Sequence, residues 1–288
     1  MWGGWFNKKP KIFKIFKQDK YVISDGMEVK ILEKSDQEMR FIIRGIDYSI
    51  ASALRRMILS EVPTMAVEFV DFKKNDSALP DEIIAHRIGL IPLTYDKRLH
   101  PLPEELEKLP EKEREKKYVK LKLKKVGPGI VYSGDLKSTS EDVQPVFKDI
   151  PIVELFEGQE LELIAYARLG YGKEHARWQG GIVGYKNEPE IKIARDFNPK
   201  EDFVKICPRN VFSFENGKLK VKNPLRCSLC MKCVEVSEGK IEVKPIEDSF
   251  IFYVETASGL KAEDLVLLAL HHFKKKIKEF SKKVEKLK

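Results

Sequence analysis

Two amphipathic segments near opposite ends of the chain constrain its fold most strongly. In the first, Ile46, Ile50, Leu54, Met57 and Ile58 recur at helical spacing after a short apolar strand. The second begins near Ala262, and its apolar positions are Leu265, Leu268, Ala269, Phe273, Ile277, Phe280 and Val284. An apolar helical face must be buried. The pattern therefore predicts one domain formed by both chain ends, an insertion between them, and apolar surface left over for another subunit.

Local signals set the boundaries of the predicted elements. Asp47 is a suitable N-cap for the first helix, and Pro63 requires that this helix has already ended. The segment DEIIAHRIGLIP predicts a short helix that ends at Gly89. VKLKLKKV alternates strictly, and MAVEFVDF, IVYSGDL and LELIAYARLG are also typical of strands. The middle of the chain is therefore predicted to be a β-rich inserted domain.

Composition narrows the class of protein. The chain has 288 residues, of which 34% are charged, and no apolar run is long enough to cross a bilayer. We therefore expect a cytoplasmic protein with no membrane partner. Residues 272–288 hold eight Lys and two Glu, and residues 1–26 hold six Lys and two Asp. A basic nucleic-acid-binding protein is an alternative, but it would need this positive charge on the folded body.

The four cysteines fall in one short window and form the most specific chemical signal. Cys227, Cys230 and Cys233 make a C-x2-C-x2-C run, and Cys207 is followed by Pro208. In bacterial ferredoxins the fourth Cys of such a run precedes Pro and ligates the other cluster. Ligands of a second cluster would then occupy four further positions, which here are Phe197, Lys200, Phe203 and Ser237. One cluster thus has all its ligands, and the other has none.

This pattern predicts one iron–sulfur cluster held by four thiolates. A [4Fe–4S] cluster is favoured, and a [3Fe–4S] cluster derived from it stays open. Zinc is the alternative metal, although zinc sites more often use two separated C-x2-C pairs. A small ferredoxin-like insert has little core of its own, so a structural role for the cluster is reasonable. A ferredoxin-like electron carrier is the alternative function.

The segment GYGKEHARWQ suggests no catalytic site. It lacks the full Walker spacing and the Ser or Thr that would follow Lys173 in a phosphate-binding loop. His175 has no identifiable nucleophile or carboxylate partner. We therefore interpret this segment as a turn that packs Trp178 against a sheet.

Several motifs in order resemble the family of archaeal RNA polymerase D subunits, the counterparts of the N-terminal domain of the bacterial alpha subunit. They are ALRRMILSEVP, IAHRIGLIPL, VYSGDL, IPIVELFEGQELEL, GYGKEHARWQ and ETASGLKAEDLVLLAL. The resemblance implies a noncatalytic assembly subunit of DNA-dependent RNA polymerase that pairs with subunit L through helices. It also implies contacts with subunits N and P and the large catalytic subunits, so that DNA is reached only through the whole complex.

The resemblance also implies an α+β fold with a dimerisation domain, an inserted β-rich domain and an inserted ferredoxin-like domain. We place an N-terminal extension at 1–26, the dimerisation domain at 27–62 and 246–288, the β-rich domain at 63–196 and the cluster domain at 197–245. The chain would belong to a nucleotidyltransferase complex while carrying no catalytic residue. The expected subunit-interface residues are Leu54, Arg55, Arg56, Leu265, Leu268 and Phe273.

Overall fold

The computed structural model describes residues 20–23, 26–96 and 98–287. The described strands are β1 Lys20–Ile23, β2 Met27–Lys34, β3 Glu38–Arg44, β4 Pro63–Asn75, β5 Val119–Val126, β6 Gly129–Tyr132, β7 Lys137–Ser138, β8 Pro151–Leu155, β9 Glu160–Tyr171, β10 Gly181–Ile193, β11 Phe212–Glu215, β12 Lys218–Val221 and β13 Ile241–Thr256. The described α-helices are α1 Tyr48–Ser60, α2 Asp81–Gly89, α3 Pro103–Leu106, α4 Glu111–Lys116, α5 Lys232–Val236 and α6 Ala262–Glu285. The mixed α+β class is therefore confirmed.

The helix boundaries follow the sequence signals. The backbone N–H of Ile50 donates to Asp47 Oδ1 at 3.0 Å, so the predicted N-cap satisfies a donor that the helix leaves free. Helix α2 ends at Gly89, and α6 begins at Ala262, both as predicted. The strand expected over IVYSGDL ends at Tyr132, because Ser133–Asp135 turns into a 3-10 helix.

Two compact units make up the chain. The described residues of the first unit fall within Met1–Lys34, Met39–Ala53 and Gly184–Tyr253. Most residues of a sheet with strand order β1-β2-β3-β13-β10 belong to it. Strands β2 and β3 are antiparallel, and β3 lies beside β13. The rings of Phe41 and Phe252 stack at 5.2 Å, so segments from both ends of the chain share one sheet.

The second unit comprises Ser35–Glu38, Leu54–Val183 and Val254–Lys288. Its main sheet has the order β4-β9-β5-β7, and β9 pairs antiparallel with both β4 and β5. Strand β5 buries every second residue over most of its length, as its alternating sequence predicts. The core includes Ile84 and Ile88 of α2 and the sheet residues Leu121, Leu123, Leu161 and Leu163.

Helix α6 buries apolar residues over its first two turns only. Leu265, Val266 and Ala269 are buried. Further apolar side chains of α6 are at least 40% exposed, namely Leu267, Leu270, Ile277, Phe280 and Val284. In the first amphipathic segment Ile46, Leu54, Met57 and Ile58 are buried, whereas Ile50 is 44% exposed. The chain therefore presents apolar helix surface that its described residues do not cover.

The predicted extension at 1–26 lies almost entirely outside the described residues, and the other domain boundaries stay predictions. Among the residues that the structure describes, no helix is both long and apolar enough to cross a membrane.

Candidate metal centre

The segment with the cysteines is short and irregular and belongs to the first unit. A 3-10 helix, Glu201–Ile206, precedes Cys207, and a second one, Pro224–Arg226, precedes Cys227. The antiparallel pair β11–β12 and helix α5 complete it. Its core is small and includes two of the cysteines, with Phe203, Val211, Phe212, Leu219, Cys227, Cys233, Ile241 and Val243 buried.

All four cysteines are free thiols that line one cavity. Cys227 and Cys233 are buried, Cys207 is half-buried and Cys230 is exposed. The cavity has an empty volume of about 400 Å³, part of which is open to solvent. Its apolar wall includes Ile191, Ile206, Val211, Phe212 and Val243. The fold therefore brings Cys207 to the C-x2-C-x2-C run across about twenty residues of sequence, as the ferredoxin pattern requires.

The C-x2-C-x2-C loop is tightly curved. Leu229 and Met231 both adopt left-handed backbone conformations, with φ of 57° and 62°. Such conformations cost a non-glycine residue about 1 kcal/mol or more, and they persist where the surroundings impose them. The backbone N–H of Leu229 points to Cys227 Sγ at 3.4 Å. The curved loop thus places one backbone donor beside the first thiol of the run.

Electrostatics disfavours the thiolate form of Cys233 in this place. Burial raises the pKa of Cys233, and charges on Cys227, Cys207 and Cys230 raise it further. Among the described residues that line the cavity, Arg209 and Lys232 are cationic and none is Asp or Glu. A metal would compensate part of the charge of several thiolates, and the centre would remain negative. The cationic side chains of the cavity wall would stabilise that negative charge.

The donor set consists of four thiols, and thiolates are ligands both of iron–sulfur clusters and of zinc. In the described part of the chain, no three His, Cys, Asp or Glu side chains converge closely enough to hold a single metal ion. The four thiols instead surround a cavity, and thiolates are the ligands that iron–sulfur clusters use.

The sequence has no cysteines at the four positions that would carry the ligands of a second cluster, and residues at three of them make other contacts. The rings of Phe197 and Phe203 meet edge to face at 5.3 Å, and Phe203 meets Phe212 at 6.3 Å. Ser237 is buried, donates to the carbonyl of Val234 and accepts from the backbone N–H of Ile241. Aromatic packing and a serine with satisfied hydrogen bonds therefore stand where that cluster's ligands would lie.

Lys186 is a polar contact of this segment that the sequence analysis missed. From β10 its Nζ donates to the carbonyls of Leu225 at 2.8 Å and Cys227 at 2.5 Å. Burial lowers the pKa of Lys186, while the charge of a Cys227 thiolate raises it. No sequence signal could have found this lysine, because 41 positions separate it from Cys227.

The chain resembles known proteins over most of its length. Residues 67–181 match the RNA polymerase Rpb3/RpoA insert domain family. The DNA-directed RNA polymerase subunit Rpo3 of Thermococcus kodakarensis is 43% identical over 91% of this chain and 99% of its own length. The chain belongs to the Rpo3 family of DNA-directed RNA polymerase subunits. Rpo3 of Pyrococcus furiosus is 42% identical over 91% of this chain and 98% of its own length, and Rpo3 of Methanosphaera stadtmanae is 41% identical over 84% and 93%.

Within the segment matched to the Rpb3/RpoA insert family, GYGKEHARWQ forms the predicted turn. Trp178 is buried, and its Nε1 donates to the carbonyl of Arg168 at 3.2 Å. His175 Nδ1 accepts from the backbone N–H of Arg177 at 3.1 Å, and Lys173 pairs with Glu61 at 3.1 Å. These side chains are engaged in structural contacts, so the interpretation of this segment as a packing turn is confirmed.

The six predicted interface residues of this Rpo3 family member differ in exposure. Arg55 and Arg56 are exposed, Leu268 and Phe273 are half-buried, and Leu54 and Leu265 are buried within the chain itself. Arg55 Nε donates to the carbonyl of Val183 at 3.0 Å. Their roles at an interface stay predictions. The exposed apolar residues of α6 are not the three residues of this helix that were predicted for the interface, but lie one to several positions away from them in sequence.

Proposed function

We propose that this chain is a noncatalytic assembly subunit of DNA-directed RNA polymerase, of the archaeal D type, that pairs with subunit L. The observation that carries the proposal is the family membership, which extends over 91% of the chain. Helix α6 supports it, because Leu270, Ile277 and Phe280 are 44%, 54% and 69% exposed. Apolar side chains at helical spacing on an exposed face mark a surface for a helical partner. The heterodimer would then carry subunits N and P and the large catalytic subunits, with Arg55 and Arg56 near the second-largest one.

Co-expression with subunit L tests the assembly proposal. We expect the two chains to elute together at the mass of a heterodimer, since α6 would bury its apolar face against the partner. A chain that stays soluble and monomeric alone, and that does not bind subunit L, would exclude the proposal.

We propose further that the ferredoxin-like segment at 197–245 holds one iron–sulfur cluster through Cys207, Cys227, Cys230 and Cys233. Their placement around one cavity with cationic and apolar walls supports this. When bound, the cluster would cross-link the segment and compensate the charge of its thiolates. The chain's own residues would do the rest. Cys227 and Cys233 fix the buried side of the centre, the two left-handed residues curve the loop, and the apolar wall excludes water.

Metal and sulfide analysis tests the cluster proposal. On protein purified without oxygen, about four iron and four sulfide per chain are expected for the [4Fe–4S] form. About three iron would indicate the [3Fe–4S] form. One zinc per chain without sulfide would reject a cluster and leave the assembly proposal intact.

A further inference from the structure

Lys186 contacts the main chain of the segment that carries the cysteines. Its side chain is half-buried, and its ammonium group donates to two carbonyls, those of Leu225 and Cys227. These carbonyls belong to the 3-10 turn that leads into the C-x2-C-x2-C loop. The backbone N–H of Cys227 in turn donates to the carbonyl of Pro224 at 3.0 Å. The ammonium group therefore fixes the main chain at the first thiol of the run.

The two residues that follow Lys186 in β10 are held by side-chain contacts. Asn187 Nδ2 donates to the carbonyl of Ile246 at 3.0 Å. Glu188 pairs with Arg44 Nη2 at 2.7 Å and accepts from Ser249 Oγ at 2.6 Å. Because the two residues after Lys186 are anchored in this way, the backbone at Lys186 is held in place. The contacts of Lys186 with the loop therefore fix the position of the loop relative to β10.

In the part of the chain that the structure describes, Lys186 has no carboxylate partner. Among the described residues, no Asp or Glu forms an ion pair with it, and both of its hydrogen-bond partners are neutral carbonyls. Withdrawing a cation from water without an anion is unfavourable. The anion that this position fits is the thiolate of Cys227 and its centre, because Lys186 already contacts the carbonyl of the same residue.

We propose that Lys186 is a positioning residue of the cysteine centre, which holds the main chain at Cys227 and supplies positive charge beside a thiolate-ligated centre. This inference rests on the proposed metal centre. Lys186 lies outside the ligand set, and it would govern both how tightly the centre is bound and the reduction potential of the cluster.

The test compares the full chain with Lys186→Met, Lys186→Arg and Lys192→Met, all purified without oxygen. Lys192 is an exposed lysine of the same strand that pairs with Glu190 at 2.9 Å, so its replacement is the matched control. Iron release to a chelator and the reduction potential of the bound cluster are measured. Contacts that orient metal ligands commonly affect metal affinity by about tenfold or more.

For Lys186→Met we expect iron release about tenfold faster and a lower reduction potential, because lost positive charge disfavours the reduced, more negative cluster. Lys186→Arg restores the charge and should bring the potential back toward that of the unmodified chain. Lys192→Met should change neither quantity. The potential is measured only on chains that retain a cluster, so a variant that merely folds less well would not shift it.

The outcomes separate the two proposals. A Lys186→Met chain with unchanged release rate and potential would overturn the role of Lys186 and leave the cluster in place. If the unmodified chain holds zinc without sulfide, the cluster proposal fails, and zinc release from the same variants then decides the role of Lys186. If the unmodified chain binds neither iron nor zinc, both proposals fall.

Discussion

A Cβ atom placed on Gly170 would lie 2.4 Å from the indole ring of Trp178. The glycine lies in β9, and the tryptophan closes over it from the turn that follows. The guanidinium group of Arg168 covers the same indole at 4.4 Å. The two glycines of the GYG sequence thus serve packing, since a Cβ on Gly172 would also lie 2.2 Å from the carbonyl oxygen of Leu59.

Replacement of Gly170 by Ala should therefore destabilise the fold. The added methyl group must displace a buried indole ring, and overpacking of this kind costs about 1–3 kcal/mol. The free energy of unfolding from denaturant titration measures the loss. Gly184→Ala is the matched control, because apart from its chain neighbours no described residue has an atom within 4 Å of a Cβ at that glycine. Equal stability of the two variants would contradict the packing argument.

Stability should fall when the pH drops through the range in which His272 takes up a proton. Burial lowers the pKa of His272, and His271 and Lys275 lower it further, so the folded chain favours the neutral ring. Its contribution is therefore complete above the ordinary value of 6.5 and is lost as the pH falls through the lower folded value.

His272→Gln should flatten this part of the dependence of the free energy of unfolding on pH. His86→Gln is a suitable control, because His86 is exposed on α2. A pH dependence that His86→Gln alone flattened would contradict the assignment to His272.

Glu61 links two lysines and should contribute to stability through them. Its side chain is 16% exposed, and its carboxylate meets Lys276 of α6 at 2.5 Å and Lys173 at 3.1 Å. These contacts lower its pKa despite the opposing effect of burial. The stabilisation is therefore present above the ordinary pKa of 4.5 and is lost as the pH falls through the lowered folded value.

We expect Glu61→Gln to lower the free energy of unfolding at neutral pH by about 1–2 kcal/mol. Glu33→Gln provides the comparison, because Glu33 pairs with Arg40 while its side chain stays 64% exposed. Surface pairs of that kind contribute about 0–1 kcal/mol. Equal losses in the two variants would show that burial of the Glu61 cluster adds nothing.

The exposed face of α6 should be required for binding to subunit L. Ile277→Gln with Phe280→Gln would remove two exposed apolar side chains without changing charge. We expect the affinity for subunit L to fall at least tenfold, since truncated apolar anchors commonly cost more than about 1 kcal/mol each. Lys278→Gln with Glu279→Gln also keeps net charge and alters the same helix away from that face. A similar loss in this control would indicate a general effect on the helix.

Loss of one thiol should empty the cysteine centre. Cys207→Ser is expected to lower iron and sulfide per chain, because the remaining three thiols of one loop leave the ligand set open. Ser228→Ala is the control, since Ser228 lines the same cavity but is not a predicted ligand. Unchanged metal content in Cys207→Ser would exclude Cys207 from the ligand set, whereas a loss in Ser228→Ala would point to the loop and not to the thiol.

Periodic and local features could be predicted from the sequence alone. Helices α1, α2 and α6 and strands β5 and β9 were predictable because an amphipathic period, an N-cap such as Asp47 or a breaker such as Pro63 acts within a few residues. The grouping of the cysteines was predictable for a different reason. The ferredoxin spacing is a chemical pattern in which Cys207 must meet Cys227, Cys230 and Cys233.

Contacts between distant residues were decided by the tertiary structure. Lys186 meets Cys227 from a strand 41 positions away, and Glu61 meets Lys276 across 215 positions. No local propensity encodes such pairs, because they depend on which strands and helices pack together. The exposure of Ile50 and Phe280 was decided in the same way. The sequence predicts that some apolar helix surface is left over, but only the packed chain reveals which of these positions its described residues leave uncovered.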